Sequence, residues 1–409
     1  MVASLAARLE ERLPRGVYVL QAGLVLNAFG NGAANPFLLL YLHDVRHIPL
    51  AQAGLASAAN AGSALLASLV GGSVADRFGP KANVLGGLAL ASLTFAAYPT
   101  VTSAWQAILF GALLGVAAGG WLTGQSTLLA AIVPPAKRHI AFAQQRVAAN
   151  LGLGLGGLVG GLIVSTSNAS TFTTLFAVNA ASFAAYGLFV ARVPVPAIAP
   201  VVRRRGYREV LRDRVVLRVL ALDVAVVAGA IALLNGLVPV YARNTAGVRE
   251  TAIGSLFLVN SVLIIGAQLP VARAVEGKSR ARSLALMAAL FALCWLFVLA
   301  AGSHRLGYGL LLGGIVVMSL GECIYDSVRT PLIADLAPEG LGGRYLAAAG
   351  FSWQLGFIVG PAAGAMLLGT GPKALWLTAA ALCGLAALGA LRLDAHLPDT
   401  VSLTPRRAR

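Results

Sequence analysis

Long apolar runs dominate this chain, each of helical length and each ended by a short polar or glycine-proline break. A helix needs about 20 apolar residues to cross a bilayer. Runs of that length fall at roughly 17–42, 50–72, 82–101, 104–133, 140–166 and 171–193. After a basic connector, six more follow at roughly 217–242, 251–274, 282–302, 307–336, 345–369 and 373–394. The runs are continuous and do not alternate every second residue, which excludes a β-barrel. The pattern predicts an all-α membrane protein with 12 transmembrane helices, and an even count returns both termini to one side of the bilayer.

Composition agrees: 58% of residues are hydrophobic, only 11% are charged, and the mean hydropathy is +0.80, values that exclude a string of soluble domains. A net charge of +16 would suggest nucleic acid in a soluble protein, so the placement of the charge decides. Only five of the 31 Lys and Arg (Arg46, Arg243, Arg249, Arg305 and Lys373) lie in the loops of the side opposite the termini. That bias is the positive-inside pattern: the termini are expected in the cytoplasm, the protein in the cytoplasmic (inner) membrane, and nucleic acid is not expected as a partner. The first residues, with Arg8, Glu10, Glu11, Arg12 and Arg15, are charged and do not read as a cleavable signal peptide.

The two halves echo each other. Gly152, Gly156, Gly157 and Gly160 of the fifth run recur 204 positions later, in the eleventh, as Gly356, Gly360, Pro361 and Gly364. The expected organisation is therefore two pseudo-symmetric six-helix bundles, 1–193 and 217–395, joined by a basic linker at 194–216 and followed by a cytoplasmic tail at 396–409. The linker carries Pro194, Pro196 and Pro200, then Arg203, Arg204, Arg205, Arg208, Arg212 and Arg214, a polybasic stretch suited to anionic lipid headgroups. In such duplicated folds the substrate site lies near the midplane between the halves.

Gly152-x-Gly154-x-x-Gly157 formally matches a dinucleotide fingerprint, but it has no preceding strand and no acidic residue about 20 positions on. Glycines at four-residue spacing in an apolar run suit close helix packing in lipid instead. Five His and three Cys, the latter (Cys294, Cys323, Cys383) all inside apolar runs, offer neither a nucleophile–base pair nor metal spacing. No enzyme, cofactor or metal is expected.

The loop between the second and third runs reads Gly72-x-x-x-Asp76-Arg77-x-Gly79-x-Lys81. It resembles the signature loop between helices 2 and 3 of the major facilitator superfamily, a large class of secondary transporters. The resemblance implies the major facilitator fold, in which Gly72 lets helices 2 and 11 approach and Asp76 faces the N-terminus of helix 11 as part of a latch between the halves. A helix N-terminus carries about half a positive charge, and a carboxylate there gains roughly 0.3–2 kcal/mol. Arg77 and Lys81 would neutralise Asp76 or bind headgroups. The same residues, taken alone, also fit a solvated turn broken at Gly79-Pro80.

Gly152-x-x-x-Gly156-Gly157-x-x-Gly160-Gly161 resembles the Gly-x-x-x-Gly-Pro-x-x-Gly-Gly motif of the drug:proton antiporters, with Gly157 in the place of proline. The eleventh run keeps the proline as Pro361. In the fourth run Gly111 stands where the antiporter branch places an arginine assigned to proton coupling.

Acids inside apolar runs must face the bundle interior, pair, or take up a proton. Glu322 and Asp326 lie four residues apart on one helical face, with Arg329 three further on. Glu322 is expected either as a protonation site, which its likeness to the tenth helix of proton-driven drug exporters also implies, or as an inter-helix hydrogen bond. Asp326 is a further proton-coupling candidate, or a structural group paired with Arg329. Asp223 is a structural group or a second protonation site, and Asp44, between His43 and His47, is a solvated loop residue or an outer proton entry. Asn27, Asn31 and Asn35 recur every fourth residue and form a stripe costly toward lipid, expected to face the substrate cavity with Asn235 opposite. Trp121, Gln125, Arg146, Asn150, Asn260, Gln268, Trp353 and Gln354 are further cavity candidates, although hydrogen bonding between helices accounts equally for such residues.

The expected function is secondary active transport: proton-coupled efflux of small amphipathic organic compounds by a monomer, with protons and anionic lipid headgroups as its other partners. Two alternatives stay open. One is an uncoupled or differently coupled carrier of a single metabolite such as a sugar, peptide or siderophore. The other is a non-transporting sensor or lipid scramblase.

Overall fold

The computed structural model describes residues 13–134, 137–194, 208–302, 306–338 and 341–404, with backbone alone at 69–78, 80, 123, 130, 139, 143, 343 and 400. Twelve long helices make up nearly all of the described residues. In order they are α1 Arg15–Leu40, α2 Leu50–Phe78, α3 Pro80–Ala97, α4 Ala104–Ile132, α5 Arg138–Ile163 and α6 Ala169–Arg192, then α7 Arg214–Asn244, α8 Glu250–Val275, α9 Arg280–Ala301, α10 Gly307–Leu336, α11 Gly342–Thr370 and α12 Pro372–Leu393. A π-turn at Tyr41–Val45 prolongs α1, and another at Val227–Ile231 interrupts α7.

Among the described residues ten helices, α3 to α12, are long and apolar enough to cross a membrane by length and composition. The remaining two, α1 and α2, carry amides along their length: Gln21, Asn27, Asn31 and Asn35 in α1, Gln52 and Asn60 in α2. Both helices supply polar groups to the centre of the molecule, which is where a spanning helix can carry them.

The helix contacts repeat with a step of six. In the first half α5 and α6 pack on α1, α4 packs on α2 and α3, and α6 on α3; in the second, α11 and α12 pack on α7, α10 on α8 and α9, and α12 on α9. The seams between the halves obey the same operation, α5 against α8 and α11 against α2, while α1 meets α7 across the pseudo-twofold axis. The chain therefore folds as two pseudo-symmetric six-helix bundles. Lipid supplies no hydrophobic drive between helices, so the seams use small residues. A Cβ built on Gly254 of α8 would lie 2.5 Å from the Gly157 carbonyl of α5, and one on Gly54 of α2 would lie 2.8 Å from the Pro361 carbonyl of α11.

Helix boundaries follow local chemistry. Gly79, at φ +84, makes the turn that Pro80 then converts into the first residue of α3. At the head of α7, Asp213 Oδ1 accepts from the Val215 and Val216 amides at 3.0 and 3.1 Å, so the helix starts at Arg214, before the apolar run itself. The C-terminal segment closes on the α8–α9 turn: Gly277 N donates to the Thr404 carbonyl and Thr404 N to the Lys278 carbonyl, both at 2.9 Å. This side, where α1 begins and α12 ends, is the terminal face below.

Candidate functional site

A cavity of about 440 Å³ lies between the halves. Asn31, Asn35, Leu38 and Leu39 of α1, Ser57 and Asn60 of α2, Gly111, Leu114 and Trp121 of α4, and Asn150 and Leu153 of α5 line one side. Asn235 and Gly236 of α7, Phe257, Asn260 and Ser261 of α8, and Phe357 and Pro361 of α11 line the other. Phe95, Tyr98 and Phe183 complete an apolar, aromatic wall, and Trp121 stands edge-on to Phe183 with centroids 6.2 Å apart. A mostly apolar, aromatic surface with a few polar groups is the usual make-up of a small-molecule pocket, in which the polar groups fix orientation.

The asparagine stripe of α1 is a hydrogen-bonded ladder. Asn31 Nδ2 donates to the Asn27 carbonyl at 3.0 Å and to Asn27 Oδ1 at 3.2 Å, and Asn35 Nδ2 donates to Asn31 Oδ1 at 3.1 Å. Asn31 and Asn35 reach the cavity, whereas Asn27, 1% exposed, is buried in the helix packing and anchors the ladder. Opposite, Asn235 Nδ2 turns back to the Ile231 carbonyl at 3.4 Å, at the end of the α7 π-turn. Such turns free backbone groups and often mark functional positions.

Glu322 lies directly behind the cavity wall. Asn260 Nδ2 donates to Glu322 Oε2 at 2.7 Å and to Ser319 Oγ at 3.0 Å, tying a cavity-lining amide to an acid of α10. One turn further toward the terminal face, Arg146 of α5 pairs with Asp326 of α10, joining the two halves. Arg146 shares a helix face with Asn150 and Leu153, so it stands at the terminal-face mouth of the cavity.

The expected pair of Asp326 with Arg329 is not formed. Positions three apart on a helix point about 60° away from each other, so Asp326 turns to α5 while Arg329 turns to α7 and α11. There Arg329 lies 2.6 Å from Asp223, which also accepts from Tyr325 Oη at 2.6 Å and Ser352 Oγ at 2.5 Å. Arg329 further donates to the Ala349 carbonyl at 2.5 Å and lies over the Tyr325 and Trp353 rings. Asp223 is thus a buried, fully partnered carboxylate.

Other candidates also fall outside the cavity. Gln125 is buried beside Leu20, Leu24 and Gln145, at the α1–α4–α5 junction. Trp353 lies tilted between Tyr325 and Phe357, with centroids 5.9 and 5.3 Å away, and Gln354 beside it is half-buried. Gln268 Nε2 bonds Ser327 Oγ at 3.1 Å, between α8 and α10.

Of the loop motif, Asp76 and Arg77 lie outside the residues whose side chains are described, and Gly72 is placed only as backbone of α2. Lys81 has a different partner from either one expected: its Nζ donates to the Ala191 and Val193 carbonyls at 2.7 and 2.8 Å, capping the C-terminal end of α6.

The packing glycines have defined neighbours. A Cβ on Gly152 would meet Ala28 Cβ at 2.6 Å, and Gly156 and Gly160 press on the backbones of Phe29 and Ala33 of α1. Their repeats behave alike in the second half, where Gly356 meets Val227 Cβ at 2.6 Å, Gly360 meets the Ala228 carbonyl at 2.7 Å, and Gly364 fits between Leu233 and Leu237 of α7. Gly161 and Pro361 instead face the other half, at Gly254 and Gly54. On the face opposite the termini, Asn244 Nδ2 donates to Asp44 Oδ1 at 2.9 Å, and Glu250 Oε1 accepts from Thr166 Oγ1 at 2.9 Å and Arg243 Nε at 3.0 Å. Asp44 is thus a cross-half partner.

A model of the Major Facilitator Superfamily matches residues 22–304 and 220–408. The chain belongs to the Major Facilitator Superfamily. It is an integral membrane transporter of a family that carries small organic substrates. Among its relatives, the uncharacterized MFS-type transporter YqjV of Bacillus subtilis (strain 168) is 25% identical over 355 residues, 85% of this chain and 84% of that one. The multidrug resistance protein MdtH of Escherichia coli O9:H4 (strain HS) is 28% identical over 306 residues, 72% and 71% of the two chains. The fold matches a D-xylose-proton symporter with a TM-score of 0.73 at 16% identity, covering 95% and 99% of the chains. It also matches a POT family transporter in complex with a thioalcohol conjugated peptide with a TM-score of 0.78 at 13% identity, covering 94% and 96%.

Within this superfamily fold, Gly111 has a packing reason. A Cβ there would lie 3.0 Å from the Ala56 carbonyl carbon, and Gly115 and Gly119 press likewise on Asn60 and Ala64 of α2. An arginine at 111 would require α2 and α4 to separate. Two further groups carry a signal in the sequence: Ser57 and Asn60, one turn apart in an apolar run, and Thr166, Arg243 and Glu250 at neighbouring helix ends.

Proposed function

We propose that this transporter exports small amphipathic organic compounds in exchange for protons, by alternating access around the central cavity. The observation that carries the reading is the 2.7 Å bond from cavity-lining Asn260 to Glu322. While Glu322 is charged it holds the Asn260 amide; a proton on Glu322 weakens that hold and frees the amide, so protonation and substrate contact share one group. Asp326, bound by Arg146, acts as the switch that ties the halves together near the terminal face. Asp223 belongs to the scaffold. The moving bodies are residues 1–193 and 217–395, with the terminal face in the cytoplasm. The relative named as a multidrug resistance protein supports the substrate class.

The test is transport in proteoliposomes under an imposed pH gradient. Glu322→Gln is expected to keep substrate binding and to lose gradient-driven transport. Undiminished gradient-driven transport by that variant would remove Glu322 from the coupling.

A second reading is an uncoupled carrier of one specific metabolite. It is favoured by the α1 asparagine ladder and by Gly111, whose place against α2 leaves no room for the antiporter arginine. Net transport that continues unchanged after the proton gradient is collapsed would select this reading.

A further inference from the structure

On an exposed, leucine-rich face of the second half, where Leu385 and Leu388 are exposed, α7 and α12 leave a groove of about 510 Å³ between them. Leu222, Leu385, Ala386 and Gly389 form its apolar floor, and Arg218 and Arg392 stand at its terminal-face end. Both arginines are exposed. Among the described residues neither has an acidic partner. The neighbouring acids are taken: Asp394 accepts from Ser279 Oγ at 2.7 Å and Arg282 Nε at 3.2 Å, and Asp223 is bound by Arg329, Tyr325 and Ser352. Two uncompensated guanidinium groups therefore end an apolar trough at the membrane surface.

The dimensions select the occupant. Arg218 lies in the first turns of α7 and Arg392 in the last turn of α12. At 1.5 Å per residue the floor runs about 10–15 Å from these cations, which is the depth of one leaflet of a hydrocarbon core about 30 Å thick. A soluble anion would use the arginines and leave the trough bare; a zwitterionic lipid would use the trough and leave a positive excess. We infer that the α7–α12 groove is a binding site for one anionic phospholipid, with its phosphate between Arg218 and Arg392 and an acyl chain along Leu222 and Leu385. Arginine recognises phosphate through its planar, five-donor fork, and two on facing helices can grip one headgroup from both sides.

The experiment uses the full chain purified in detergent, with lipid retention read by native mass spectrometry. Phosphatidylglycerol and phosphatidylcholine of identical acyl chains are titrated separately. The wild type is expected to retain one phosphatidylglycerol in preference to phosphatidylcholine. Arg218→Gln with Arg392→Gln is expected to reduce that preference by about fivefold per arginine. Gly389→Leu, which fills the trough and leaves the charges, is expected to reduce retention of phosphatidylglycerol as well. Arg208→Gln with Arg212→Gln, outside the groove, is the control and is expected to change nothing. Equal retention of the two lipids by the wild type, an unaffected double variant, competition by inorganic phosphate at the same concentration, or a dimer that covers the groove would each overturn the assignment.

Discussion

Asp223 and Arg329 define how a charge survives inside this protein. Their side chains are 2% and 13% exposed, and each bonds to further groups besides its partner. Removing one member leaves the other buried without compensation, at a cost of about 3–5 kcal/mol, whereas apolar replacement of both is close to neutral. Asp223→Asn should therefore lower the detergent-solubilised melting temperature strongly, and Asp223→Leu with Arg329→Met should recover most of the loss. Failure of the double variant to recover would mean that the pair does more than satisfy itself. The acids themselves were visible in the sequence because each interrupts an apolar run. Their partners were not: Arg329 is near Asp326 in sequence, but helix geometry sends the two toward different neighbours.

At the scale of the element, helix crossings are set by glycines whose missing side chains are occupied by a neighbour's backbone. The Gly156 position presses on the Phe29 backbone, while a Cβ on Gly187 of α6 would meet nothing within 4 Å. Gly156→Leu is expected to force α1 from α5 and to destabilise by at least about 1–3 kcal/mol, the ordinary range for overpacking. Gly187→Ala should be neutral or slightly stabilising, since alanine favours a helix over glycine by up to about 1 kcal/mol. Thermal unfolding of the two variants side by side distinguishes packing from propensity. The glycine spacing in α5 and α11 was legible as helix packing, but which helix each glycine meets was not. The Gly111, Gly115 and Gly119 series has the same four-residue spacing, and its partner α2 is likewise set by tertiary packing.

For the whole molecule, polar links join the halves on both sides of the cavity. Asp44–Asn244 and Thr166–Glu250 lie on the face opposite the termini, and Arg146–Asp326 lies toward the terminal face. The proposed alternating access would require these sets to break in turn. With the three buried native cysteines replaced, Asp44→Cys and Asn244→Cys joined by a short bifunctional thiol reagent should stop transport while leaving substrate binding from the terminal face intact. Continued transport by the cross-linked protein would exclude opening on that side. Glu250→Gln, which weakens the contacts to Thr166 and Arg243, should raise the accessibility of cavity positions to thiol reagents applied from the face opposite the termini.

What the sequence alone determined is the solvent of this protein and its plan. Continuous apolar runs of spanning length dictate helices in lipid, and the repeated glycine spacing marks two copies of one six-helix unit. Tertiary structure decided everything that depends on direction around a helix axis: which amides of the α1 stripe see the cavity, that Asp326 crosses to Arg146, that Lys81 caps α6, and that Glu322 stands one bond behind Asn260. Spacing along a chain sets a side chain's face, but the neighbour on that face comes from a segment 62 residues away for Glu322 and 180 for Asp326, and no local pattern encodes it.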